Sequence, residues 1–245
     1  MKLFDCYATF GRPTVPPPEY ALNAPDLIAE MDYCGISEAL VYHIAMKEMT
    51  PLVGNPLLMD QVKDEPRLHP TWAILPEQTG EQPPPDQFIR LMKDNHVRAL
   101  YAFPEEHGYY LNGTTFGGLL EEMIEHHIPL LMRVDYALFG SILKEFPKLT
   151  LIGVGHGPHG QERFFRPLME AYANFYIDTS AFLLEGGIED HCGKYGAERL
   201  LFSTGYPRNC IGGPVLRILT AEISNSDKDL VAHGNLERVL KEVRL

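Results

Sequence analysis

Residues 126–154 read HHIPLLMRVDYALFGSILKEFPKLTLIGV. Two short apolar runs, PLLMRVD (129–135) and LTLIGV (149–154), flank a helix-period segment near 137–146. Apolar runs of that length between turn signals read as buried strands. The helix returns to the second strand through FPK alone. A strand, a helix and a second strand joined this way form a parallel, right-handed crossover unit.

The same unit recurs along the whole chain. Candidate strands are KLFDCYA (2–8), EALVYHI (38–44), RLHPTWAIL (67–75), VRALYAF (97–103), the two above, FYIDTS (175–180) and LLFST (200–204). Candidate helices lie near 25–33, 56–64, 86–95, 116–127, 137–146, 164–173, 186–195 and 214–223. Eight strands alternating with eight helices imply a parallel α/β sheet. In 245 residues they fit one closed (β/α)8 TIM barrel spanning 1–245 as a single domain. No GxGxxG follows the first strand, which argues against an open dinucleotide-binding sheet. An amphipathic piece, NLERVLKEVRL (235–245), adds a C-terminal extra helix.

The connections are unequal. Those from helix to strand are tight, such as DEP, NH, FPK and AN. Those from strand to helix are long and rich in Pro and Gly: 11–24, 76–85, 104–115, 155–163 and 205–213. In a barrel these long loops share the C-terminal face, where ligand sites lie.

Composition narrows the partners. Net charge is −12, so nucleic acid and anionic membranes are not expected partners. No apolar run reaches the ~18 residues of a membrane span. The four cysteines, Cys6, Cys34, Cys192 and Cys210, form no CxxC. With no signal-peptide pattern before Leu3, they suggest a reducing cytoplasm.

Several strings carry a resemblance. MDYCGISEALVY, NPLLMDQVKDEPRLHPTWAILPE, HHIPLLMRVD, FPKLTLIGVGHG, NFYIDTS, YGAERLLFSTGYP and AHGNLERVL occur in that order. Together they resemble the amidohydrolase superfamily, in its amidohydrolase-related branch of barrel hydrolases and decarboxylases. The strand-eight string and the Gly234-Asn235 closure are the most specific pieces. The resemblance implies a TIM barrel and a divalent metal such as zinc at its mouth. The metal would lower the pKa of a bound water or polarise a carbonyl.

The ligand positions that the resemblance assigns are largely replaced. Tyr7 and Thr9 stand at the two strand-one His places, Arg133 at the strand-five His and Gly205 at the strand-eight Asp. The strand-six His falls on Gly155, or on His156 with one extra residue. Neutral Tyr and Thr are poor zinc-type ligands, and Arg133 repels a dication. The sequence-based expectation is therefore a degenerate metal site: no metal ligands and no cofactor.

The catalytic candidates are Arg133, His156 and Asp5. Arg133 would hold a substrate anion and replace the metal electrostatically, His156 would activate water, and Asp5 would orient the anion. By strand alternation Asp5, Tyr7 and Thr9 share one face, and Asp5 would meet Arg133 near the axis. The opposing reading is a structural ion pair of Arg133 with Asp5 or Asp135. Tyr7, Thr9, His43, Tyr101, His159, Asp178 and Tyr206 are candidates for substrate binding. A displaced metal site of His43, His156 and His159 is a further alternative.

The expected function is a hydrolase of a lactone, an ester or a similar small carboxylated substrate, acting without the usual metal. A non-catalytic small-molecule binder and a metal-dependent hydrolase or decarboxylase with rearranged ligands stand as alternatives. The expected partner is a small, anionic substrate, and a homodimer stays open.

Overall fold

The computed structural model describes residues 1–156, 160–183 and 185–245. Its strands are β1 (Phe4–Phe10), β2 (Glu38–His43), β3 (Leu68–Ala73) and β4 (Ala99–Ala102). They continue as β5 (Leu130–Arg133), β6 (Leu151–Val154), β7 (Phe175–Asp178) and β8 (Leu200–Leu201). All pair in parallel, in the order β1 to β8. The segment after β8 returns to β1: Cys6 N donates to Phe202 O at 2.9 Å, and Thr9 N to Tyr206 O at 3.1 Å. Gly205 N donates to Tyr7 O at 3.1 Å, completing the (β/α)8 barrel.

The helices follow in sequence: α1 (Ala24–Cys34), α2 (Ala45–Glu48), α3 (Pro51–Val62) and α4 (Pro85–Asp94). Next come α5 (Pro104–His107), α6 (Gly113–Glu125), α7 (Tyr136–Glu145) and α8 (Glu162–Ala171). The chain ends with α9 (Gly187–Tyr195), α10 (Gly212–Thr220), α11 (Asn225–Asp229) and α12 (Asn235–Lys241). Caps set several starts. The side chains of Asn23, Asn112 and Asp135 accept from backbone N–H groups of the first turns of α1, α6 and α7. Gly35, with φ 72°, ends α1 in the left-handed region that glycine tolerates.

Two differences from the sequence reading have local causes. The helix expected to begin at 56 begins at Pro51, with Thr50 as its cap. Pro56 lies inside it, and an internal proline mimics a helix start. The strand expected over 200–204 keeps only Leu200–Leu201, because Thr204 bends into side-chain contacts with β1. No helix among the described residues is long and apolar enough to cross a membrane.

The C-terminal helix seals the barrel floor. A π-helical turn, Leu230–Gly234, leads into α12, and Phe202 N donates to Val231 O at 2.9 Å. Asn235 is fully buried, and its Nδ2 donates to Ala197 O at 2.7 Å and to Leu200 O at 3.0 Å. Lys2 bridges Glu38 at 2.6 Å and Glu237 at 2.7 Å, joining β2 to α12. Asn235→Leu keeps the volume but leaves two buried carbonyls short of a donor. It is expected to cost roughly 2 kcal/mol, read as a lower urea midpoint at unchanged slope.

Candidate functional site

The upper end of the barrel is built around two buried carboxylates. Asp5, on β1, is 1% exposed. Its Oδ1 accepts from Tyr7 N and Thr204 N, both at 3.0 Å, and its Oδ2 accepts from Thr204 Oγ1. Asp178, at the end of β7, accepts from Gly155 N at 2.9 Å and His156 N at 3.4 Å through Oδ1. Its Oδ2 accepts from Ser180 N at 3.2 Å and from Ser180 Oγ. Both carboxylates therefore brace the loops at the mouth. This corrects the expectation that Asp5 meets Arg133: donors of β1 and of the segment after β8 occupy the Asp5 oxygens.

Above them lies a cavity of about 400 Å³, lined by Phe103, Glu105, Arg133, Asp135, Gln161 and Arg208 among others. Arg133 ends β5 and is exposed, with register partner Val154 on β6. Arg208 follows the cis Tyr206-Pro207 bond and is also exposed. Neither guanidinium forms an ion pair or hydrogen bond among the described residues. Both act electrostatically on the Tyr7 phenol, which is not among the residues lining the cavity. Burial pushes the Tyr7 hydroxyl up, so it stays neutral and able to donate.

Tyr7 belongs to an aromatic cluster inside the barrel. Its ring centroid lies 6.1 Å from Tyr42 and 6.2 Å from Tyr101. Tyr101 is 1% exposed and stacks on Phe103 at 4.4 Å. The hydroxyls of Tyr42 and Tyr101 lie close enough to influence that of Tyr7. Thr9 is buried, and its Oγ1 donates to Tyr42 O at 2.8 Å.

Three candidates lie away from this cavity. His156 is 1% exposed; its Nε2 lies 3.0 Å from Gly153 O and its Nδ1 2.8 Å from the Tyr136 hydroxyl. The carbonyl takes the Nε2 proton, Nδ1 contacts the Tyr136 hydroxyl, which itself donates to Gln161 Oε1 at 2.7 Å, and burial lowers the ring pKa. Both nitrogens are occupied, so His156 has no free nitrogen for water. The turn responsible is Gly155, whose φ of 76° breaks the alternation and sends His156 toward Phe165 of α8.

His43 faces Phe10 edge-on at 5.4 Å, and its Nδ1 accepts from Ala45 N at 3.2 Å. Tyr206 is 4% exposed and turns toward α1, with burial first and Glu30, Glu19 and Asp26 next in raising its pKa to about 12. His159 lies outside the described residues, as does any test of a site that includes it.

Arg208, Tyr42 and Tyr136 are the residues the sequence reading passed over. Arg208 had a signal, as the cation of the loop 205–213, but nothing local separates it from Arg12 or Arg163 in other loops. Tyr42 and His43 are adjacent in one strand, and only the register with β1 decides which faces Tyr7.

The amidohydrolase profile matches residues 41–241. The chain belongs to the amidohydrolase family. An uncharacterized TIM-barrel protein from Bordetella bronchiseptica superposes with TM-score 0.75, at 18% identity over 99% of both chains. A dihydroxybenzoic acid decarboxylase from a Polaromonas species, holding manganese and the inhibitor 2-nitroresorcinol, gives TM-score 0.74. That pair shares 15% identity over 99% of this chain and 98% of the decarboxylase. A probable 2-pyrone-4,6-dicarboxylic acid hydrolase from Acinetobacter baumannii, with citric acid bound, gives TM-score 0.72. It shares 11% identity over 98% of this chain and all of its own. No curated protein matches the chain. At these identities the likeness is one of fold.

The manganese in the decarboxylase corrects the expectation of no cofactor: the fold of this amidohydrolase-family chain carries a metal in a neighbour. The residues at this mouth do not fit such an ion. Thr9 Oγ1 is hydrogen-bonded to a carbonyl, Tyr7 offers a phenol where an imidazole or carboxylate would be needed, and Asp178 has four donors. A Cβ at Gly205, whose φ is 64°, would lie 2.8 Å from Asn209 Nδ2 and 3.0 Å from Ser180 Cβ. Among the described residues no three His, Cys, Asp or Glu side chains gather to hold a metal.

Burial raises the Asp5 pKa from 3.8 to about 6. The folded chain thus holds this proton at a pH where the unfolded chain has lost it. The resulting stability is full below pH 3.8 and is lost as pH rises to about 6, by roughly 3 kcal/mol. Urea denaturation across this range is expected to show the wild type losing stability relative to Asp5→Asn as pH rises. Parallel profiles for the two proteins would contradict the assignment.

Proposed function

We propose that this chain is an enzyme of a small carboxylated substrate, with hydrolysis of a lactone or ester as its reaction. The observation that carries the reading is that Arg133 and Arg208 line one cavity with no ion pair or hydrogen bond among the described residues, and that both act electrostatically on Tyr7. An unpaired cation in a concave site is suited to an anion, and guanidinium matches carboxylate bidentately. The neighbour named as a probable 2-pyrone-4,6-dicarboxylic acid hydrolase, with citric acid bound, supports both the charge and the reaction class.

The substrate carboxylate sits against Arg133 and Arg208. The Tyr7 hydroxyl donates to the carbonyl oxygen as negative charge develops there. Asp135 holds Leu138 N with Oδ1 at 3.0 Å. Its Oδ2 is the carboxylate oxygen assigned to take a proton from the attacking water. The bond broken is the acyl C–O bond, and the products are an acid and an alcohol.

A second reading, a binder without chemistry, is favoured by one observation. The buried groups best suited to acid–base work, Asp5, Asp178 and His156, all have structural hydrogen bonds. Citrate titration by calorimetry and a panel of carboxylated lactones and esters separate the two. Citrate binding is expected to weaken roughly tenfold in Arg133→Met and in Arg208→Met, the loss of a charge-assisted hydrogen bond. Asp135→Asn is expected to lower kcat at least tenfold with little change in citrate affinity. Citrate affinity unchanged in both arginine variants overturns the carboxylate site; tight citrate binding with no turnover across the panel supports the binder.

A further inference from the structure

Outside the mouth, the described residues place two free thiols on one cavity. Cys34 closes α1 and is half-buried, and Cys210 is exposed in the loop after β8. Both line a cavity of about 320 Å³ together with Tyr33, Tyr206 and Arg208. A Cβ at Gly212, two residues beyond Cys210, would lie 3.8 Å from Cys34 Sγ. The Cys210 thiol is near enough to act electrostatically on Cys34, whose pKa is raised first by burial and then by Cys210. The other two cysteines are separate: Cys6 is fully buried, and burial raises Cys192 to about 11.

The loop that leads into α10 carries Cys210, which is exposed. Its last side-chain tether is Asn209, whose Nδ2 donates to Ser180 O and Thr204 O, both at 3.2 Å. Gly212 and Gly213 follow and open α10. A disulfide needs Cα atoms roughly 5.5 Å apart, a distance that a glycine-flanked loop can reach by local adjustment.

We propose that Cys34 and Cys210 form a dithiol site that a low-molecular-weight disulfide oxidises to an intramolecular disulfide. The exposed Cys210 thiolate attacks one sulfur of the oxidant RSSR, forming a mixed disulfide and releasing one thiolate RS⁻. The Cys34 thiolate then attacks the Cys210 sulfur, forming the internal bond and releasing a second RS⁻. Two electrons pass from the two cysteines to the oxidant, and their two protons end on two RSH molecules. The bond would staple the segment that carries Arg208 to the end of α1.

The test is incubation of the folded protein with oxidised glutathione, followed by non-reducing peptide mapping by mass spectrometry. The expected product is a peptide linking Cys34 to Cys210, free of glutathione. Cys34→Ser is expected to stop at a stable glutathione adduct on Cys210, and Cys210→Ser to give no adduct at Cys34. A wild-type protein that keeps glutathione on Cys210 with Cys34 free overturns the proposal. So does a folded protein that fails to react when the same protein in guanidinium does.

Discussion

The structure depends on the carboxylate of Asp5. It is the point at which the first strand and the segment after the last one are held together by side-chain chemistry. Three donors converge on it from Tyr7 and Thr204. Burying an ionisable group is unfavourable, and the raised pKa records that cost. The donors offset part of it and fix the course of the backbone from Thr204 to Tyr206. Asp178 does the same for β7 and the turn after β6. With both carboxylates in place, the remaining charges at the mouth have little choice of partner.

That is the electrostatic sense of the site. Among the described residues Arg133 and Arg208 form no ion pair or hydrogen bond, in a concavity that Glu105, Glu106 and Asp135 also line. Acidic side chains lie nearby, yet Glu106 pairs with Lys47 at 3.3 Å and Asp135 caps α7. The rings of Tyr7, Tyr42, Tyr101 and Phe103 pack against one another inside the barrel.

Much of this was legible in the sequence, for reasons that differ by residue. The barrel followed from the repeated change of hydrophobic period, a signal spread over the whole chain. The parity of Asp5, Tyr7 and Thr9 followed from strand alternation, although the β1–β2 register shifts between Asp5 and Ala8. Arg133 was legible as a permanent charge at the end of an apolar strand. His156 and Tyr206 were misread because each follows a glycine in the left-handed region, Gly155 and Gly205, where alternation no longer applies. The role of Asp5 was hidden because two of its three donors, both on Thr204, stand 199 residues away in sequence. Arg208 was hidden because a loop cation gives no local sign of which cavity it will line.

Gly205 has a consequence for the history open to this chain. Its neighbours Asn209 and Ser180 occupy the space a side chain there would need, and its backbone already favours glycine. A carboxylate could be accommodated at that position only after both neighbours had moved aside and the loop had changed course, so a single substitution there is closed to this chain.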